Sequence, residues 1–137
     1  MLSNVTIKQY LKNSPETIHV DDPVWKAWRM LKNKDVKILP VTKSNKIIGT
    51  ISDRDIVAVS GNNNGQSMAV KEAMSLNPLI VEKDTDMETV LQMMILKDQK
   101  VAIVVNQGGE VVGLFSWSNA IELFLSLMNE NFLEKTI

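Results

Sequence analysis

A hydroxyl, a guanidinium and a carboxylate stand within one turn of chain at Ser52, Arg54 and Asp55, just after Gly49-Thr50-Ile51. Together they could serve a phosphate ester and a sugar diol. Arg offers a permanent positive fork suited to phosphate, the serine hydroxyl a further hydrogen bond, and the aspartate an acceptor for ribose hydroxyls. A second reading needs no ligand, because Ser52 followed three residues later by Asp55 also has the form of a helix capping box. Both readings stand at this point. A degraded copy of the stretch returns as Gly113-Leu114-Phe115-Ser116-Trp117-Ser118-Asn119. Glycine and serine recur at the same separation, and this recurrence tilts the reading toward a site, on the expectation that packing alone does not demand both.

The flanking residues say which elements must hold these groups. Ile47, Ile48 and Ile51 read as a strand, and Ser52 stands at the N-cap of a helix carrying Ile56, Val57 and Val59. Such a strand-to-helix corner exposes the first backbone N–H groups of the helix, which carry partial positive charge and suit a phosphate. Upstream, Ile7, Tyr10 and Leu11 suggest a helical turn, and Thr17, Ile18 and Val20 a short strand. Asp21-Asp22-Pro23 opens a helix with Val24, Ala27, Trp28 and Leu31 on one face. Ile38-Leu39-Pro40-Val41 is a strand, and Lys43-Ser44-Asn45-Lys46 a turn back into the strand that ends at the corner. The order is β-α-β-β-α.

Gly61-Asn62-Asn63-Asn64-Gly65 reads as a linker, and past it the design restarts. Aligning the halves sets Ile7 on Val70, Lys8 on Lys71, Leu11 on Met74, Pro15 on Pro78, Asp21 on Asp84, Met30 on Met93, Lys37 on Lys100 and Val41 on Val104. One added residue in the second hairpin, Asn106 to Glu110, brings Gly113 and Ser116 onto Gly49 and Ser52. A repeat of roughly sixty residues exceeds ordinary solenoid periods. The expected fold is mixed α+β, two β-α-β-β-α repeats packed about a pseudo-twofold axis. The expected divisions are repeat 1 at 1–60, linker at 61–66, repeat 2 at 67–125 and a helical tail at 126–137.

Composition excludes several functions. With 15 basic and 16 acidic side chains the net charge is -1, so no broad electrostatic footprint for nucleic acid or an anionic membrane is present. There is no cysteine and one histidine, which removes thiol nucleophiles, disulfides and multi-His metal centres. The longest unbroken apolar run, Val101 to Val105, is far too short to span a bilayer. A cytoplasmic location is expected, with no metal, no catalytic residue and no catalytic cofactor. The carboxylates cluster at helix starts, where capping accounts for them.

Leu39-Pro40-Val41, the hairpin and the Gly49-to-Asp55 corner, duplicated from about Val5 to Leu125, resemble a tandem pair of cystathionine β-synthase (CBS) domains, a Bateman module. The resemblance implies a regulatory module that binds an adenosine-containing ligand: AMP, ADP or ATP, or S-adenosylmethionine. Asp55 would hold the ribose, and Ser52 and Arg54 the phosphate. Adenine would lie between apolar side chains and backbone groups near Thr17, Ile18 and the Lys37-Ile38 segment, or near Ile80 and the Lys100-Val101 segment; Lys37 and Lys100 themselves stand where the family often places a phosphate-facing basic or polar residue, and Pro40 and Ile51 are further nucleotide-binding candidates. Ser116, Ser118 and Asn119 form the second corner. Ser118 and Asn119 replace Arg54 and Asp55 there, removing a fixed charge and a bidentate acceptor, so the first corner is expected to dominate affinity. The resemblance also implies a homodimer through the Val24–Leu31 and Met87–Ile95 helices, serving an unidentified regulated protein. Trp28 and Met94 are expected in the core, Trp25 and Ile95 on the surface. A structural pairing module with vestigial pockets is the alternative function.

Overall fold

The computed structural model describes residues 7–11, 15–34, 36–60 and 67–136. The linker read at 61–66 lies outside them. After a 3-10 turn at Ile7–Tyr10, the first repeat runs β1 (Ile18–His19), α1 (Val24–Lys34), β2 (Ile38–Lys43), β3 (Lys46–Ser52) and α2 (Asp53–Val59). The second adds a short helix and strand before the same order: α3 (Val70–Ala73), β4 (Ser75–Leu76), β5 (Ile80–Glu82), α4 (Met87–Leu96), β6 (Val101–Val105), β7 (Val111–Ser116) and α5 (Trp117–Thr136). The architecture is mixed α+β, as expected. The helix of the second repeat continues without interruption through the position read as the start of a tail.

Two sheets form: β5-β6-β7 from the second repeat alone, and β1-β2-β3-β4, in which β4 of the second repeat pairs antiparallel with β3 of the first. β1 pairs parallel to β2 through the α1 crossover, β5 pairs parallel to β6 through α4, and each hairpin is antiparallel. The first hairpin closes on Ser44 and Asn45, both at positive φ (51° and 63°), as the twist of a tight hairpin requires. A register shift follows Val41 in one hairpin and the aligned Val104 in the other. The duplication therefore extends to the irregularities.

Two cores form, and each borrows from the other half. Ile18, Val24, Ala27, Leu31, Leu39 and Ile51 cluster with Val70, while Leu79, Met87, Val90, Met94, Ala102 and Phe115 cluster with Ile7. Ile7 and Val70 are the aligned opening residues of the two halves, so the opening segments are exchanged. Backbone hydrogen bonds fix the exchange at one junction: Val70 N–H donates to Asp22 O (2.8 Å), Lys71 N–H to Val20 O (3.0 Å) and Val24 N–H to Met68 O (2.7 Å). Lys71 Nζ adds a hydrogen bond to Asp21 Oδ1 at 3.1 Å. That bond and the Lys71 charge, helped by His19 and Lys43, hold the Asp21 carboxyl below the usual aspartate value. His19 is exposed and its Nδ1 accepts the Asp21 N–H at 3.1 Å.

Trp28 departs from expectation. It is 51% exposed, because Val24, Ala27 and Leu31, with Met30 beside them, carry the contact of α1 with the core. Lys32 Nζ lies 5.9 Å from its ring centroid, and Arg29 covers Trp25 at 4.9 Å. Met94 is buried and Ile95 exposed, as expected.

Candidate functional site

The first corner is built by β3 and the start of α2. Ser52 adopts extended backbone, and its Oγ accepts the Asp55 N–H at 3.2 Å; Asp55 Oδ2 accepts the Ser52 N–H at 2.9 Å and the Ser52 hydroxyl at 3.0 Å. This is a complete capping box. The other oxygen of Asp55, Oδ1, accepts the Ser75 hydroxyl at 2.8 Å. The second corner repeats the box with an amide: Asn119 Oδ1 accepts the Ser116 N–H at 3.0 Å and hydroxyl at 3.1 Å, and Ser116 Oγ accepts the Asn119 N–H at 3.3 Å. Asparagine thus replaces aspartate with the cap preserved.

The corner glycines have a packing reason, which overturns the sequence argument that packing does not demand both glycine and serine. A Cβ on Gly49 would stand 2.6 Å from the Ser75 carbonyl oxygen, and one on Gly113 would stand 2.5 Å from Leu11 Cδ2. Met74 and Leu11 are aligned residues of the exchanged segments, and each lies against the opposite half's corner strand. Glycine at the corner admits the exchange, and serine caps the helix. The recurrence of both residues follows from the fold itself.

The two corners nevertheless open onto one cleft of about 710 Å³ between the repeats. Ser52, Arg54, Lys37 and Ile38 line it from the first repeat; Lys100, Val101, Ser116 and Ser118 line it from the second. Thr50, Asp53, Leu79, Asp98, Gln99 and Trp117 complete the wall. Three cations therefore converge from both halves: Lys37, Arg54 and Lys100. Asp53 is paired outward with Lys32 at 3.5 Å, which reduces its opposition to an anion in the cleft. The Trp117 N–H donates to the Lys100 carbonyl at 2.9 Å, tying the start of β6 to the second corner.

The remaining sequence-derived residues lie elsewhere. Asp55 and Asn119 are turned into their capping boxes rather than onto the cleft wall. Ile18, Pro40 and Ile51 are buried, so only their backbone groups could meet a ligand. Ile80 is 39% exposed on β5, outside the cleft lining. Thr17 lines a different, polar cleft of about 610 Å³ beside Pro15, Asn45, Gly109 and Glu110, at the hairpin turns. Trp117, Asp98 and Thr50 were not singled out from the sequence. The alignment of the halves carried a signal for one of them, since Trp117 occupies the position of Asp53 and so had to face the same space.

Among the described residues no cluster of His, Cys, Asp or Glu could hold a metal ion, and no helix is long and apolar enough to cross a membrane.

Comparison with known proteins follows this geometry. A curated inosine-5'-monophosphate dehydrogenase of Korarchaeum cryptofilum is 28% identical over 98 residues, spanning 72% of this chain but only 20% of that enzyme. Among solved structures, CBSX2 in complex with AMP superposes with a TM-score of 0.75 at 21% identity, covering 91% of this chain and 99% of that one. The CBS domain pair of protein MJ0100, in complex with 5'-methylthioadenosine and S-adenosyl-L-methionine, gives 0.78 at 23% identity, covering 89% and 97%. The CBS domain of a bacterial CNNM/CorC family Mg2+ transporter in complex with ATP gives 0.76 at 17%, covering 88% and 87%. These likenesses establish a shared fold. The CBS domain model itself matches twice in tandem, at residues 7–62 and 70–126, so the chain belongs to the CBS domain family.

Proposed function

We propose that this chain is a regulatory module that binds an adenine nucleotide in the cleft between its repeats and carries out no catalysis. The observation that carries the reading is the convergence of Lys37, Arg54 and Lys100 from both halves on one cleft of about 710 Å³. Phosphate would sit among these cations and the Ser52 and Ser116 hydroxyls, and a base would lie against Trp117, Ile38 and Val101, where aromatic contact favours a planar ring. Because the wall comes from both repeats, a ligand in the cleft would bind them to each other, and that is a physical route from occupancy to shape. Three solved relatives of the same fold hold AMP, ATP, or methylthioadenosine with S-adenosyl-L-methionine, which supports an adenosine ligand. The first corner, with Arg54 and Asp55, is the stronger; calorimetry on Asp55→Ala against Asn119→Ala tests that order, and a larger loss at Asn119 would reverse it. The protein would act in the cytoplasm as a homodimer through α1 and α4, reporting to a regulated protein.

One observation favours a second reading, in which the module only pairs or docks. Asp55 spends both oxygens on Ser52 and Ser75, so its ribose role requires the diol to replace the Ser75 hydroxyl. Thermal melting with AMP, ADP, ATP and S-adenosylmethionine separates the two. A ligand at a hundred times its Kd should raise Tm by roughly 8 °C, and Arg54→Ala should abolish most of that rise. A flat response to every compound at millimolar concentration would leave the docking reading.

A further inference from the structure

The first corner holds a hydroxyl against the carboxylate that a sugar would need. Asp55 Oδ2 is committed to the cap, where it accepts the Ser52 N–H at 2.9 Å and the Ser52 hydroxyl at 3.0 Å. Oδ1 accepts the Ser75 hydroxyl at 2.8 Å. Ser75 belongs to β4 of the second repeat, and its partner on β3 is Thr50, which lines the cleft. Its backbone is held close, because the Ser75 carbonyl oxygen lies only 2.6 Å from where a Cβ on Gly49 would stand. The hydroxyl is freer. Ser75 is exposed, so one χ1 rotation carries Oγ off Asp55 and into water without moving the strand. Capping does not account for the Ser75 bond, since the second corner completes the same box through Asn119 Oδ1 alone. The alignment that sets Leu11 on Met74 sets Lys12 on Ser75, so the second half replaces the hydroxyl as well as the acid. Acid and hydroxyl occur together in one repeat and are both absent from the matched positions of the other.

We propose that Ser75 sets the affinity of the nucleotide site as a built-in competitor: its hydroxyl occupies the place on Asp55 Oδ1 that a ribose hydroxyl takes, and a ribose-bearing ligand must displace it. The proposal rests on the nucleotide reading above and adds to that site a residue outside the cleft wall. A hydroxyl donating to a carboxylate at 2.8 Å makes the same charge-assisted bond that a sugar hydroxyl would make. Binding through the ribose therefore exchanges one hydroxyl for another on Asp55, and the gain is the difference between the two rather than a whole new bond. Discrimination follows from the exchange. A ligand with free sugar hydroxyls recovers the bond it breaks, whereas one without them leaves Ser75 in place and gains nothing from Asp55.

Calorimetry with two probes, AMP and its analogue lacking both ribose hydroxyls (dideoxyadenosine monophosphate), tests the assignment. Ser75→Ala should bind AMP roughly three- to tenfold more tightly than the parent, a range set by the net worth of one hydrogen bond. The dideoxy compound should bind both chains alike. Ser75→Thr restores a hydroxyl and should return AMP affinity toward that of the parent. In an Asp55→Ala background, adding Ser75→Ala should leave AMP affinity where it was, because no carboxylate remains to be covered. Melting curves without ligand check that each variant is folded. A Ser75→Ala chain that binds AMP no more tightly than the parent would overturn the proposal while leaving the nucleotide reading intact. Equal tightening toward both probes would also overturn it, by tracing the effect to a loosened strand instead of a vacated oxygen. If neither the parent nor Ser75→Ala binds AMP, the nucleotide reading fails and the competitor role fails with it.

Discussion

Asp55 closes a cap in the structure and is proposed to hold a ribose, and substitution can separate the two. Its carboxylate closes the α2 capping box, and the second corner demonstrates that an amide does this equally well, since Asn119 makes the same three hydrogen bonds. Asp55→Asn should therefore keep thermal stability within about 0.5 kcal/mol, while Asp55→Ala should lose about 1 kcal/mol through the cap. Nucleotide affinity should fall in both, because an asparagine held in the cap by its carbonyl oxygen presents only an NH2 donor where Asp55 presents a second acceptor oxygen. Equal affinity in Asp55→Asn and the parent, by calorimetry, would assign Asp55 to the cap alone. The glycines are similarly separable. Gly49→Ala drives a methyl group into the Ser75 backbone oxygen, which cannot move without β4, whereas Gly113→Ala meets side-chain atoms of Leu11, Cδ2 nearest and Cβ and Cγ at 3.2 Å, which can shift more readily than backbone. Denaturant melts should show a loss of about 2–3 kcal/mol for Gly49→Ala and about 1 kcal/mol for Gly113→Ala. At this scale the sequence was partly misleading. It singled out Ser52, Arg54, Lys37 and Lys100, which the structure brings to one cleft, but a motif written in residue types does not say whether glycine serves a ligand or a neighbouring strand.

Among the elements, the order β-α-β-β-α was legible from periodicity and turn chemistry, and the matched bulges after Val41 and Val104 show how faithfully the duplication was kept. The exchange of opening segments was not legible. A 3.6-residue pattern says that Ile7 and Val70 are buried, and nothing about which of two equivalent cores receives them. Trp28 illustrates the same limit, because its helical phase matched the buried face but the Val24, Ala27 and Leu31 stripe left it outside. The junction that secures the exchange is pH-sensitive with a definite sign. Asp21 is held below its ordinary value by Lys71, so its contribution is fully present above about pH 4 and is lost as pH falls through the lowered value. Lys71→Ala should raise the Asp21 carboxyl toward the ordinary value in a carbon-detected NMR titration and flatten the acid limb of the stability profile. An unmoved Asp21 titration would show that Lys71 does not set it.

For the whole molecule, two half-sized repeats each complete the other's core and jointly line one cleft, so neither half is self-sufficient in packing or in forming that cleft. That arrangement makes occupancy of the cleft a statement about how the halves sit together. The curated relative is five times longer than the matched region. The most direct measurement of the central claim is a crystal structure grown with saturating AMP. The account predicts nucleotide density in the cleft between the corners, phosphate within hydrogen-bond reach of Arg54 and at least one of Lys37 and Lys100, and the base against Trp117. Nucleotide seated instead in the hairpin-side cleft beside Pro15 and Gly109, or a cleft left empty at saturating concentration, would contradict it.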